Sequence, residues 1–147
     1  MAHSYCNNLV HVVFSTKERK PLIPAERLEK LWAYFVGIAR NHNLPLLAAG
    51  GTQNHAHLLF ALEATVPLAK AVQTFKANSS RWVREHGIDF AWQEGYGAFS
   101  VSASQAPRVK DYIRNQAKHH HRRSFEEEFV ELLKRSGIPY DPKFVFG

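Results

Sequence analysis

Apolar and polar residues alternate from Leu9 to Ser15, with Val10, Val12 and Phe14 on one side and His11 and Ser15 on the other. Successive strand side chains point to opposite faces, so this period of two predicts a first strand with one face in a core. The charged run Lys17-Glu18-Arg19-Lys20-Pro21 leaves it as a loop. The spacing then becomes helical. Pro24 stands where a first turn tolerates proline, and Leu28, Leu31, Trp32, Phe35, Ile38 and Ala39 form one stripe. Asn41-His42-Asn43 ends this helix, and Pro45 discourages its continuation. Leu46 to Ala49 predicts a short second strand, Gly50-Gly51-Thr52-Gln53-Asn54 a turn, and His55 to Leu62 a third strand in a hairpin with the second. His55, His57, Leu59 and Ala61 share one face of the third strand; Ala56, Leu58, Phe60 and Leu62 take the core face.

Pro67 opens a second helix with Leu68, Ala71, Val72, Phe75, Trp82 and Val83 on one side, and Gly87 stops it. An irregular aromatic stretch from Phe90 to Gly97 leads to a fourth strand, Ala98 to Ser102. Phe99 and Val101 face one way there; Ala98, Ser100 and Ser102 face the other. Pro107 falls in the first turn of a third helix carrying Val109, Tyr112, Ile113 and Gln116. His119-His120-His121-Arg122-Arg123 reads as a basic, solvated link. Ser124 and Glu127 then make a capping box for a last helix with Phe125, Phe129, Leu132 and Leu133 as its stripe. Gly137 and Pro139 end that helix, and Tyr140, Phe144 and Phe146 give the tail apolar surface with which to dock.

The first six elements match an α+β, ferredoxin-like βαββαβ arrangement: a four-stranded antiparallel sheet with extra C-terminal helices. Two helices are expected on one face of the sheet. The other face is expected to be open and to carry His11, His55, His57, Ser100 and Ser102, a surface on which a nucleic acid strand can lie.

Composition narrows the class. The 147 residues suit one domain, 1–147, and 45% hydrophobic content is enough for a sizeable core. No apolar run reaches the length of a membrane span, and the N-terminus lacks the pattern of a signal peptide. The one cysteine, Cys6, excludes an internal disulfide framework and fits a reducing cytosol. A net charge of +6 points to a polyanionic partner, of which nucleic acid is the commonest.

The candidate chemistry starts at His55-Ala56-His57, where two imidazoles side by side can share one metal ion. Tyr112 and Gln116, four apart on one helix, share a face with Cβ atoms about 6 Å apart. The amide oxygen of Gln116 is a hard third donor, which suits Mg²⁺ or Mn²⁺ with positions left open for phosphate oxygens. Zinc fits less well, because no cysteine or third placed histidine completes its usual set. A tyrosine hydroxyl beside such a cation can attack phosphorus as a covalent nucleophile.

These motifs resemble those of the single-tyrosine HUH transposases of the IS200 type, which include relatives associated with repetitive extragenic palindromes. His55-Ala56-His57 matches the His–hydrophobic–His motif, with Ala56 a small middle residue, and Tyr112-Ile113-Arg114-Asn115-Gln116 matches the Tyr-x-x-x-Gln helix. Phe14-Ser15-Thr16-Lys17, Trp92 to Ser102, and His120-His121 through Phe129 to Tyr140 resemble the flanking segments. The resemblance implies a homodimer that binds imperfect hairpins and cuts single-stranded DNA. It implies Tyr112 as nucleophile forming a 5′-phosphotyrosine link, and His55, His57 and Gln116 as metal ligands. It also implies that the tyrosine helix moves, with Ala117 as a candidate hinge, and that the His pair of one subunit can work with the tyrosine helix of another. DNA contacts are expected among Lys17, Arg19, Lys20, Lys70, Lys76, Arg81, Arg84, Arg108, Lys110, Arg114 and Lys118. Trp92 and Tyr96 are candidates for base stacking, with core packing as the default. The alternatives are a hairpin-binding module or domesticated relative without catalysis, and a metal-dependent hydrolase that uses water.

Overall fold

The computed structural model describes residues 5–119 and 123–146. The elements run β1 (Leu9–Ser15), α1 (Leu28–Asn41), β2 (Leu46–Thr52), β3 (His55–Ala61), α2 (Leu68–Glu85), β4 (Gly97–Val101), α3 (Ala106–Arg114), α4 (Gln116–His119) and α5 (Phe125–Arg135). The four strands form one antiparallel sheet in the order β2-β3-β1-β4. This is the ferredoxin-like arrangement that the element order predicts. No helix among the described residues is long and apolar enough to cross a membrane.

The main core lies between one sheet face and the antiparallel-sheet helices α1 and α2. Val10, Val12 and Phe14 of β1 and Ala56, Leu58 and Phe60 of β3 meet Leu31, Phe35 and Ile38 of α1 and Ala71, Val72 and Phe75 of α2. Each such side chain, fully buried, stabilises the fold by roughly 1.5–3 kcal/mol relative to exposure. Trp92, a stacking candidate in the sequence, belongs to this core; its Nε1 donates to Ser79 Oγ at 3.0 Å. Tyr96 is the exposed one of that pair.

The second face is not open. The small cluster Leu9, Ala48, Leu59, Ala106 and Ile113 seats α3 on β2 and β3. Val13, Phe99, Phe125 and Leu133 seat α5, and the tail residues Tyr140, Val145 and Phe146 pack against them. The tail thus docks through Tyr140 and Phe146 as expected, whereas Phe144 stays 69% exposed; Phe146 is pinned further by the Arg19 guanidinium 4.7 Å above its ring. The reason the face is covered lies in its own composition: Val13, Leu59 and Phe99 flank the histidines, and apolar groups there must be buried.

Register corrects the placement of the serines. His11 pairs with Phe99 and Leu9 with Val101, so Phe99 and Val101 share the histidine face. Ser100 pairs with Val10 on the opposite face, and Ser102 lies past the end of β4. Alternation within β4 was legible; which face meets which depends on its pairing to β1.

Strand β2 also runs further than its residues suggest, to Thr52, leaving Gln53-Asn54 as the turn. Glycine serves there because α3 lies almost on the strand: a Cβ at Gly50 would run into the Ile113 carbonyl and lie 3.1 Å from Ile113 Cγ2. Gly51 adopts φ 148°, a backbone that L side chains rarely take.

The predicted capping box is present, with Ser124 Oγ accepting from the Glu127 amide at 3.2 Å. One helix reading is corrected. Tyr112 and Gln116 do not lie on one continuous helix. The chain leaves helical geometry at Asn115 (φ −101°, ψ 23°), and Gln116 begins α4. The break therefore precedes Gln116, whereas Ala117, the candidate hinge, lies inside α4. His120, His121 and Arg122 of the basic link lie outside the described residues.

Candidate metal and nucleophile site

Three stretches distant in sequence, namely β3, the α3–α4 run and α5, deliver their side chains to one point. Strand β3 is the centre of the site, since β2 and β1 hold it from both sides and alternation turns His55 and His57 to the same face. Both imidazoles are fully buried. Helix α3 brings Tyr112, α4 brings Gln116, and α5 brings Glu128. All of this occurs within one chain.

Hydrogen bonds fix the orientation of each group. The Asn54 amide nitrogen donates to the Arg19 carbonyl, so Asn54 Oδ1 faces His55 Nδ1 at 2.9 Å. That contact and the Thr52 hydroxyl, 3.0 Å from the same nitrogen, hold the ring with Nε2 turned into the site. The Gln116 amide nitrogen donates to the Tyr112 carbonyl at 3.3 Å, which turns Gln116 Oε1 toward His55 Nε2 at 3.0 Å. His55 Nε2 and Gln116 Oε1 thus meet in a buried hydrogen bond. An imidazole nitrogen and an amide oxygen are both metal-ligand types, so the metal reading fits the residues present.

His57 is held in the same manner. Its Nδ1 lies 2.8 Å from His11 Nε2, and the two rings stack with centroids 5.1 Å apart. Its Nε2 lies 3.0 Å from Glu128 Oε1, which is also 3.6 Å from His55 Nε2. One donor atom from each of His55, His57 and Glu128 lies within 4.8 Å of the other two, close enough to hold a metal ion in common. His11 is itself pushed down to about 3 by burial and by its neighbour His57, with Glu128 opposing. It is therefore a neutral orienting partner for His57 rather than a charge.

Tyr112 is half-buried beside this cluster, its ring 5.7 Å from that of His57. Its hydroxyl donates a short hydrogen bond to Glu128 Oε2. Burial, the bond to Glu128 and that carboxylate's charge hold the phenol well above its ordinary range.

The structure thus brings together His55, His57, Gln116 and Tyr112, as the spacings suggest, and adds Glu128, His11 and Asn54. Glu128 is not singled out by the sequence; it falls inside the Phe125-to-Phe129 segment that resembles the family's ending. Its signal was weak: Glu128 is the one acid in the run Glu126-Glu127-Glu128 that falls beside the Phe125/Phe129/Leu132 stripe.

The candidate DNA-contacting residues divide. Lys76 is committed to the fold: its Nζ donates to the Gln93 and Gly95 carbonyls at 2.7 and 2.9 Å, and burial lowers its pKa. Arg19 donates to the Phe146 carbonyl at 3.1 Å. Arg81 reaches Asn78 and Glu85, and Arg84 reaches Ser80, all on α2. Lys17, Lys20, Lys70, Arg108, Arg114 and Lys118 are exposed, and Lys110 is partly so.

Comparison with known proteins decides the family. The sequence profile of the family described as "Transposase IS200 like" matches residues 4–116. The chain belongs to the IS200-like transposase family. Among solved structures, a Deinococcus radiodurans R1 protein described as a candidate transposase superposes with a TM-score of 0.62 at 22% identity, over 79% of this chain and 96% of that one. A REP-associated tyrosine transposase, solved bound to a REP hairpin, gives a TM-score of 0.61 at 14% identity, over 82% of this chain and 73% of that one. At those identities the likeness shows the shared fold. No curated protein matches the chain. Within this IS200-like transposase the profile match ends at Gln116, so α5 and Glu128 lie beyond it.

Proposed function

We propose that this IS200-like transposase cuts and rejoins single-stranded DNA beside a hairpin. Tyr112 is the nucleophile, and His55, His57 and Gln116 hold a divalent cation, Mg²⁺ or Mn²⁺. The observation that carries this reading is the convergence of the Tyr112 hydroxyl and three oriented donors on one buried point. The hairpin bound by the REP-associated neighbour supports a folded single strand as the substrate.

When bound, the cation supplies positive charge at the phosphoryl oxygens and at the departing oxygen. The residues of the chain do the rest. Asn54 and His11 fix the two imidazoles with their donors turned inward. The Tyr112 oxygen attacks phosphorus as its proton passes along its hydrogen bond to Glu128 Oε2. The new bond joins it to the 5′ phosphate, the bond to the 3′ oxygen breaks, and that oxygen leaves as a hydroxyl after taking up a proton. Rejoining is the reverse: a 3′ hydroxyl attacks the phosphotyrosine and the phenol is restored. One ester replaces another, so no external energy source is consumed. The same reading implies a homodimer, which sedimentation equilibrium tests, and phosphate contacts from the exposed Lys17, Arg114 and Lys118.

The test uses hairpin-forming single-stranded DNA from the flanks of the gene, incubated with wild-type protein or Tyr112→Phe, with Mn²⁺ or EDTA. A cation-dependent protein–DNA band on a denaturing gel, absent from the variant, is expected. Cleavage that survives Tyr112→Phe and leaves free 5′ phosphates gives water the role of nucleophile.

One observation favours a second reading, hairpin binding without cutting. The nucleophile's hydroxyl is engaged by Glu128 beneath α5. Tight hairpin binding with no adduct under any divalent cation would establish that reading.

A further inference from the structure

We propose that Glu128 is a metal ligand of this site, and that its carboxylate bridges the cation and the nucleophile. The inference rests on the functional reading above and adds to it a residue from outside the segment that carries the family match.

The carboxylate is 1% exposed and enters a chamber where His55 and His57 are 0% exposed. Its two oxygens have different neighbours. Oε1 points at the pair of imidazole Nε2 atoms, at 3.0 Å from His57 and 3.6 Å from His55. Oε2 accepts the hydrogen bond of the Tyr112 hydroxyl. One oxygen thus joins the imidazole Nε2 atoms and Gln116 Oε1 as a fourth donor, while the other holds the nucleophile. A carboxylate oxygen added to two imidazole nitrogens and an amide oxygen suits a hard cation such as Mn²⁺.

A consequence follows for α5. The helix is anchored by Phe125 and Leu133 on the sheet and by its capping box. If Glu128 binds the cation, metal binding and the seating of α5 reinforce each other.

Two measurements test this. The first is Mn²⁺ binding to full-length protein, by titration calorimetry and by loss of the free-ion electron paramagnetic resonance signal. Wild type is expected to bind one ion, His55→Ala to lose binding, and Glu128→Gln to bind at least about tenfold more weakly. Glu126→Gln, a change in the same turn at a partly exposed residue directed to Arg19, is expected to bind like wild type. Without metal, Glu128→Gln is expected to melt no lower than wild type, because it removes a buried charge and keeps the shape. A purely structural role for Glu128 would lower that melting point and leave Mn²⁺ affinity alone. Binding unchanged in Glu128→Gln but lost in His55→Ala overturns the proposal and spares the functional reading. No binding by wild type overturns both. The second measurement needs no variant: Mn²⁺ should slow amide hydrogen exchange across residues 125–135, and unaltered exchange there overturns the proposal even where Glu128→Gln fails to fold.

Discussion

The substitution Gly50→Ala tests how Tyr112 is positioned. Gly50 pairs with His57 across the sheet, and Ile113 of α3 lies directly above it. A methyl group there meets the Ile113 carbonyl oxygen closer than any real Cβ contact, and Ile113 Cγ2 at 3.1 Å. A backbone carbonyl cannot rotate aside, so the C-terminal end of α3 must lift by about 1 Å. Overpacking of this kind costs about 1–3 kcal/mol, and the lower chain entropy of alanine returns about 0.4–1 kcal/mol. The net loss is then about 1–2 kcal/mol, or a melting point lower by roughly 2–8 °C for a chain of this size. Such a loss leaves the protein folded at 25 °C. The effect on cutting is larger, because Tyr112 immediately precedes Ile113 and Gln116 follows it. A displacement of about 1 Å at a reacting group costs on the order of 10² in rate. The assay is single-turnover cutting of a hairpin-flanking strand at saturating protein, with thermal unfolding in parallel. Gly37→Ala is the control: nothing lies within 4 Å of its added methyl in α1, and a helix gains about 0.5–1 kcal/mol from the change. Cutting by Gly50→Ala at the wild-type rate would refute the idea that close seating of α3 on β2 sets the tyrosine.

Other expectations follow from the same contacts. Ile113→Ala empties a fully buried position under α3 and should cost about 2–5 kcal/mol in urea unfolding. Ser124→Ala removes the capping side chain of α5 and should cost about 1 kcal/mol, with faster hydrogen exchange confined to the first turn of that helix. Mn²⁺ at a hundredfold excess over its dissociation constant should add about 2.7 kcal/mol, a rise of roughly 5–11 °C that EDTA reverses. Tyr112→Phe should keep that metal-induced rise while losing the covalent adduct, because the change removes the hydroxyl and leaves every candidate ligand, His55, His57, Gln116 and Glu128, in place.

The sheet and the histidine pair were legible because both rest on local periodicity. β1 spans Leu9–Ser15 as its alternation predicts, and Ala56, Leu58 and Phe60 enter the main core while Leu59 enters the opposite cluster. What escaped the sequence was set by contacts between distant segments. Gly50 and Gly51 read as a turn, because glycine chosen for close approach of α3 looks the same as glycine chosen for bending. Ser100 was placed on the wrong face, because the pairing of β4 with β1 fixes its side. The histidine face read as open because its cover, α3 to α5, follows the sheet in sequence and has no periodic link to it. Tyr112 and Gln116 were found by their spacing even though the chain breaks between them, since Gln116 still bonds the Tyr112 carbonyl. Glu128, sixteen residues from Tyr112, has no spacing signal at all; only the fold brings it to the hydroxyl.

The central claim is that Tyr112 becomes joined to DNA. The most direct measurement is protease digestion of the protein–DNA adduct followed by mass spectrometry of the nucleotide-bearing peptide. A nucleotide attached through its 5′ phosphate to Tyr112 is the predicted result. A nucleotide on any other residue, or cut DNA with a free 5′ phosphate and unmodified Tyr112, would contradict the account.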